Sequence, residues 1–427
     1  MAKIKNLLPV GILLIITALY LSGAKAVPFH PDETTNIFLS GDLETLMHHP
    51  AELFYSPVPV DAARQNYRLL DAPLTRWLIG IGRTLAAIPA QTIDWNWSQT
   101  WQQNKESGAL PDANLLLVSR LSVAWLFGFT LVFTYWAGVI LFGPRFVWLN
   151  IALTALNALI LMHTRRAMGE SVLLFSVSWL IFTLVKKESS PILLAIPAAL
   201  AFNAKFTSAG LVLAVLLAAW AYSKLPSWKM RLRNALLCAV FILVITLILN
   251  PVAWKNPFQT ALAAIEARST LAAQQVQVVT TVSPDLIMRT PAQRLAGWLV
   301  YLFITPPATA DVANYLQDTQ PAEQAYFANP LNNVLRGIIG GVFLLILTLL
   351  GFALAAYRIR SNNPKRLQFG LLMLATLIAF LSLVAFIPLP FQRYAVMVIP
   401  FTNLWIVYLF VELDAKLNRN REARASL

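Results

Sequence analysis

The chain has 427 residues, of which 58% are hydrophobic and only 12% charged, a balance outside that of soluble globular domains. The formal net charge of +13 does not indicate a nucleic-acid partner, because Lys and Arg sit in short segments between apolar runs and form no single basic face. The one cysteine, Cys238, lies within an apolar run, which excludes an intrachain disulfide and any multi-cysteine metal site.

The first apolar run, residues 7 to 25, is long enough to span a bilayer. Lys3 and Lys5 precede it, so the positive-inside rule places the N-terminus in the cytoplasm and the residues after the run on the outer face. Ala24-Lys25-Ala26 imitates a signal-peptidase site, but a retained anchor is the favoured reading, since a polytopic chain needs no separate export signal. Further spans are expected at 114 to 142, 145 to 163, 170 to 185, 190 to 204, 206 to 223, 234 to 250, 334 to 357, 367 to 387 and 394 to 412. That makes an all-α polytopic bundle of about ten transmembrane helices. The close pair 190 to 204 and 206 to 223 also reads as a single broken hairpin. Arg145, Lys186-Lys187, Lys224 to Arg233, Arg358 to Arg366 and Lys416 to Arg424 all fall on the cytoplasmic side, as does a C-terminal tail at 413 to 427.

Two mixed-polarity segments are left on the outer side, 26 to 113 and 251 to 333. In the first, Leu74, Trp77, Leu78, Ile81, Leu85 and Ile88 recur at helical spacing while Arg76 and Arg83 take another face, the pattern of an interfacial helix with Pro73 in its first turn. Trp95, Trp97 and Trp101 either mark the headgroup level or pack a small core of their own. In the second, Pro257 is expected to start a helix, and the run 298 to 305 is too short to span and reads as interfacial or re-entrant.

The ionisable residues at the outer ends of the spans are Asp32, Glu33, Asp71, Arg120, Arg165, Arg166, Glu170, Lys205 and Arg393. Charges near a bilayer either snorkel or line a polar site, so their common sidedness suggests a single outer site. Asp32-Glu33 follows the first span directly, where partial desolvation would raise the basicity of a carboxylate; the plainer reading has Asp32 capping a helix through Thr34 and Phe38. Asp71, just before Ala72-Pro73, suits a helix N-cap. Lys205 and Arg393 interrupt apolar surroundings and suit an anion, Arg393 with Tyr394 lying between Pro388-Leu389-Pro390 and Pro400. His30, His48, His49 and His163 are too scattered for a metal motif, and no hydrolase triad or phosphate-cradling glycine loop occurs.

The order of these residues resembles the GT-C superfamily of polyprenyl-phosphate-dependent glycosyltransferases, especially its protein O-mannosyltransferase and aminoarabinose-transferase branch. Asp32-Glu33 is similar to the family's acidic pair after the first helix, Arg120 to the arginine opening the second, Arg165 to Glu170 with Ser171 to its Arg-to-acid turn, and Lys205-Phe206-Thr207 to its lysine-bearing hairpin. Asn250-Pro251 and Arg393-Tyr394 with Pro400 continue the order, whereas Asp71-Ala72-Pro73-Leu74 lacks the His and first Pro of the family's His-Pro-Pro-Leu motif.

The resemblance implies a single GT-C-like domain over 1 to 427. It implies inverting transfer of a sugar from a polyprenyl-phosphate-linked donor to a glycan, lipid or protein acceptor on the outer face. Asp32 or Glu33 would take the acceptor proton, with Glu170 in support. Lys205 and Arg393, with Arg120 or Arg165, would hold the departing phosphate, and Asp71, Arg166 and Tyr394 would contact substrate. Apolar groove walls would hold the prenyl chain, so no nucleotide site is needed. A divalent cation beside Asp32 and Glu170 is used by some members and not by others. No appended soluble domain is expected, so acceptor recognition would rest on the two outer segments. The rival readings are a lipid or glycan transporter or flippase, and a noncatalytic assembly subunit with the same fold.

Overall fold

The computed structural model describes residues 2–309, 315–360, 365–389 and 391–425. Pro390, from the Pro388-Leu389-Pro390 run, and 361–364, from the basic Arg358 to Arg366 segment, lie outside the described residues. The fold is entirely helical where described. Helix α1 (Ala2–Ser22) is apolar yet exposes Leu7, Leu8, Leu14, Ile15 and Leu19 by more than 60% each, a surface suited to lipid. Its C-terminal end is anchored by Tyr20, which stacks on Phe127 with ring centroids 3.8 Å apart.

The first long segment folds into short helices: α2 (Pro31–Leu39), α3 (Asp42–His48), α4 (Ala62–Leu70), α5 (Leu74–Leu85) and α6 (Trp101–Glu106). Neither expected cap forms as read from sequence. His30, not Asp32, caps α2: its ring accepts the Asp32 N–H while Glu33 accepts the His30 N–H, a reciprocal box that Pro31 at the first helical position favours. Asp71 closes α4 from its C-terminal side, and Pro73 stands at the N-cap of α5. The extended backbone that Pro73 imposes upstream turns the chain between the two helices.

Helix α5 has the two faces expected of it, with the arginines inward. Arg76 and Arg83 are buried while Ile81 and Leu85 are exposed. Arg83 reaches Ser40 and both oxygens of Glu44, and Asp42 gathers Arg68 at 2.7 Å with Arg76 at 3.6 Å. Trp95 and Trp101 form a small core with Phe29 and Tyr315, which decides against a headgroup role for these two; Trp97 stays 39% exposed.

The membrane bundle has six helices long and apolar enough to cross among the described residues, not the ten expected. Helices α7 (Ala113–Ala124) and α8 (Leu126–Ala155) form one apolar run of 43 residues, in which Gly143, with φ of 81°, allows the chain to kink ahead of Pro144. The expected span at 145 to 163 thus starts inside α8, breaks at Leu156 and ends in the six-residue α9 (Ala158–His163). Helix α10 (Gly169–Lys186) is buried between α8 and α11 (Pro191–Ala204). With α12 (Gly210–Ala221), α11 forms a pair of only 14 and 12 residues, about 21 and 18 Å at 1.5 Å per residue and short of a 30 Å core. The longer crossings are α13 (Trp228–Leu249), α17 (Gly337–Ile359) and α18 (Arg366–Phe386). The expected last span is divided: 392–397 form a 3-10 turn, and α19 (Ile399–Ala425) admits Glu412, Asp414 and Lys416 before it ends. Close packing sets the α17–α19 contact, since a Cβ at Gly351 would lie 1.9 Å from the Trp405 carbonyl oxygen.

In the second long segment α14 (Pro257–Val282) begins at Pro257 as expected, followed by α15 (Pro291–Leu299) and α16 (Leu316–Phe327). The run 298 to 305 continues α15 into a π turn at Val300–Ile304. Trp298, Leu302 and Phe303 are buried there against α17 and α18, and Arg336 donates to the Leu302 carbonyl at 2.7 Å. Basic residues collect at one end of the bundle: Arg145 pairs with Asp414, Arg358 with Glu412, and Lys365 caps the carbonyls of Ile140 and Leu141. The two long segments connect at the opposite end.

Candidate active site

Adjacent residues on a helix point about 100° apart, and Asp32 and Glu33 accordingly part company. Glu33 is fully buried and accepts from Arg120 Nε and Nη2, each at 2.7 Å, from His30 N at 3.0 Å and from Ala167 N at 2.9 Å. Arg120 spends Nη1 on the carbonyls of Ala24 and Val27. Burial pushes the Glu33 carboxyl up, but the charge and hydrogen bonds of Arg120, with Arg166 and the Ala167 N–H, outweigh it and hold the group below its usual range. The pair therefore ties the end of α1, α2 and the turn before α10 to one another. Asp32 keeps 30% of its side chain exposed and forms an ion pair with Arg393.

A second ion pair lies beside this one. Gly169 opens α10 so close to Ala204 that a Cβ on it would meet the Ala204 carbonyl oxygen at 2.7 Å, and this approach lets Lys205 reach the buried Glu170 and form an ion pair. The Lys205 ammonium also sits 3.9 Å from the ring centroid of Tyr394, whose hydroxyl accepts from Arg268 of α14 at 3.2 Å. Tyr394 adjoins Arg393, so the two ion pairs form one cluster: Asp32–Arg393, Glu170–Lys205, and Tyr394 with Arg268 between α10 and the second long segment. Buried Glu170 Oε2, Thr75 Oγ1, Thr207 Oγ1 and Ser208 Oγ have no hydrogen-bond partner among the described residues. Polar atoms so placed are expected to meet ordered water or a polar ligand.

Asp71, between α4 and α5, joins the same cluster. Its burial, and then the neighbouring Asp32, push its carboxyl up to about 6, with Arg268, Arg76 and Arg393 opposing. Asp94 is raised as well, chiefly by burial. Arg165 and Arg166 turn elsewhere: Arg165 donates to the Tyr20 carbonyl at 2.8 Å, and Arg166 to the carbonyls of Pro28 and Thr309 at 3.1 and 2.8 Å. With Arg120, which donates to the carbonyls of Ala24 and Val27, they tie the end of α1 and the residues after it to α7 and the turn before α10. Arg268 was not among the residues singled out from sequence, although it is the only basic residue of α14 and thereby legible as unusual. Thr207 was legible only as part of the Lys205-Phe206-Thr207 run, and Thr75 and Ser208 carried no signal of their own.

Among the described residues no three His, Cys, Asp or Glu side chains converge in a way that could hold a metal ion. Asp32 and Glu170 each face a cationic side chain. An open apolar groove of about 440 Å³ between α12 and α13, lined by Leu216, Trp220, Leu232 and Leu236, lies toward the other end of those helices and is separate from the cluster.

The fold has solved counterparts. It is similar to the Archaeoglobus fulgidus oligosaccharyltransferase tethered to an acceptor peptide containing the NVT sequon, with a TM-score of 0.52 and 12% identity over 99% of this chain and 51% of that one. A structure of the same oligosaccharyltransferase with zinc and sulfate gives a TM-score of 0.50 and 12% identity over 95% and 49%. ArnT from Cupriavidus metallidurans, bound to undecaprenyl phosphate, aligns with a TM-score of 0.42 and 14% identity over 97% of this chain and 78% of that one. No family model and no curated protein matches the chain by sequence. The chain spans about half the length of the oligosaccharyltransferase. What the likeness shows is the fold, a GT-C-like polytopic membrane bundle.

Proposed function

We propose that the chain is a membrane-embedded glycosyltransferase that moves a sugar, with inversion, from a polyprenyl-phosphate-linked donor to an acceptor at the outer face. The observation that carries this reading is the meeting of Lys205 and Arg393 around Tyr394, beside the carboxylates Asp32 and Asp71, at the end of the bundle that bears the two long segments. Lipid-phosphate transfer needs such a pairing: cations for charge that grows on the leaving phosphate, and a carboxylate for the acceptor proton.

In this reading the prenyl chain stays in the bilayer while its phosphate approaches Lys205 and Arg393. Arg393 presents a planar fork to the phosphate oxygens, and Lys205 a compact charge. Glu170 and Asp32 orient these two cations until the donor arrives. Glu33, Arg120, Arg165 and Arg166 act as structural supports rather than as contacts to substrate, given the partners each already has. Within the GT-C superfamily the order of residues favours the O-mannosyltransferase and aminoarabinose-transferase branch. The termini would then lie in the cytoplasm, the acceptor being a glycan, lipid or protein met by the two long segments.

The test uses the full chain purified in nanodiscs and a panel of undecaprenyl-phosphate-linked sugars labelled in the sugar, with native membranes added as the source of acceptor. Transfer of label to an acceptor or to water, with release of undecaprenyl phosphate, is the expected result. Movement of intact donor across the bilayer without cleavage of the sugar–phosphate bond would replace the proposal with a flippase.

A further inference from the structure

We infer that Asp71 is the carboxylate that takes the acceptor's proton, an assignment that rests on the transfer reaction proposed above. Glu33 is enclosed by four donors, Asp42 is held by Nε and Nη2 of Arg68, Glu170 is paired with Lys205, and Asp32 with Arg393. A carboxylate engaged by a cation is a weak base, since taking a proton costs it that partner. Both Asp94 oxygens are sealed from solvent. The Asp71 carboxylate makes no hydrogen bond or ion pair among the described residues, and its oxygens are not among the buried unpartnered atoms, so an incoming hydroxyl can reach it.

Position and basicity agree. Asp71 ends α4 and is faced by Tyr67 of the same helix, Asp32 of α2, Arg76 of α5, Arg268 of α14 and Arg393 of the 392–397 turn. It thus shares neighbours with the cations assigned to the phosphate. Burial and the Asp32 charge bring its proton affinity to about 6, near the point where a base is both ionised and strong at neutral pH. In the step itself the acceptor O–H gives its proton to Asp71, the freed oxygen pair bonds to the anomeric carbon, and the carbon–oxygen bond to the phosphate breaks. The bonding pair leaves with polyprenyl phosphate beside Lys205 and Arg393, and Asp71 then returns its proton to water. Asp32 is left as the positioning residue of Arg393.

The experiment compares wild type, Asp71→Asn, Asp71→Glu and Asp32→Asn in nanodiscs, using the undecaprenyl-phosphate-linked sugar that wild type turns over. Wild-type turnover should rise about tenfold per pH unit up to a pH near 6 and then level off. Asp71→Asn should lose about 10²- to 10⁴-fold in turnover, retain donor binding and lose the pH limb. Asp71→Glu should keep a measurable share of turnover together with the limb. Asp32→Asn should keep a limb displaced to lower pH, because removing the neighbouring negative charge eases ionisation of Asp71. Thermal melting controls for folding: Asp71→Asn should melt at or above wild type at neutral pH, since the fold disfavours the ionised carboxylate. Wild-type-like turnover in a folded Asp71→Asn, or loss of the limb in Asp32→Asn instead, overturns the assignment and leaves the glycosyltransferase reading standing. Absence of sugar transfer by wild type removes both.

Discussion

Asp32 and Arg393, 361 residues apart in the chain, meet in an ion pair that joins the first short helix of the long segment to the turn before the last helix. Its neighbour in sequence, Glu33, makes a separate and fully buried pair with Arg120. One dipeptide therefore supplies a group open to the candidate site and a group that holds the scaffold. Asp32→Asn should leave a folded protein with reduced transfer, whereas Glu33→Gln should lower stability by about 3–5 kcal/mol by stranding Arg120. Thermal melting of both variants checks the contrast, and equal melting temperatures would refute it.

The same pair predicts an acid limit. Because the folded protein holds the Glu33 carboxyl below its ordinary value of 4.5, its contribution is present above that pH and is lost as pH falls through the lower folded value. Melting temperature should drop on acidification below about 4.5 in wild type, and less steeply in a folded Glu33→Gln/Arg120→Met double variant. Parallel acid profiles for the two proteins would count against the pair as the source.

How much of this was legible in the sequence depended on range. Hydropathy and basic clustering revealed a polytopic helical bundle with two long segments at one end, because the cost of unpaired backbone and charge in a bilayer is written locally. The number of crossings was overcounted where Gly143, Leu156 and the Gln392–Met397 turn divide apolar runs, since hydropathy averages across such breaks. Asp32, Glu170, Lys205, Arg393 and Tyr394 were singled out and are brought together in space. The division of labour between Asp32 and Glu33, and the isolation of the Asp71 carboxylate, arise from partners 87 or more residues away or from their absence, and no local pattern encodes either. Arg76 and Arg83 show the same limit: helical spacing separated them from the apolar face, but not that they point inward to Asp42 and Glu44.

Gly169 offers a test of geometry without a change of charge. Gly169→Ala places a methyl 2.7 Å from the Ala204 carbonyl oxygen and must widen the gap that Lys205 crosses to Glu170. Transfer should fall by about tenfold or more, as expected when an acting group is displaced by a fraction of an ångström to one ångström. The helix itself should gain from Ala, so a simple loss of helicity would not explain the defect. Unaltered turnover in Gly169→Ala would show that the Glu170–Lys205 contact is not needed for the reaction.

Lys205→Met and Arg393→Met separate donor binding from stabilisation of the leaving phosphate. If the two cations act mainly as charge develops, each variant should bind undecaprenyl phosphate within a few-fold of wild type and lose about 10²- to 10³-fold in single-turnover transfer. Arg393→Lys should recover less than its charge suggests, because Lys lacks the planar fork. Direct lipid binding and quenched single-turnover measurements on the same preparations decide the matter. Wild-type values for both quantities in both variants would make these residues anchors of the fold and not contacts to the donor.

Tyr394 sits where these effects meet, its ring under Lys205 and its hydroxyl accepting from Arg268. Tyr394→Phe keeps the ring and removes only the hydrogen bond, while Tyr394→Leu removes both. A cation held over an aromatic face gains about 0.5–2 kcal/mol, roughly 2- to 30-fold in an equilibrium, so the Leu variant should suffer more than the Phe variant, and mainly in turnover through a misplaced Lys205. Arg268→Ala should resemble Tyr394→Phe if the hydroxyl matters only as the landing point for Arg268. It should exceed that effect if Arg268 also opposes the charge on Asp71, and in that case the pH limb of transfer should move upward in Arg268→Ala and stay in place in Tyr394→Phe, because losing a nearby positive charge makes the carboxylate hold its proton to higher pH. A pH profile of the two variants side by side distinguishes these roles; identical limbs would confine Arg268 to supporting the ring.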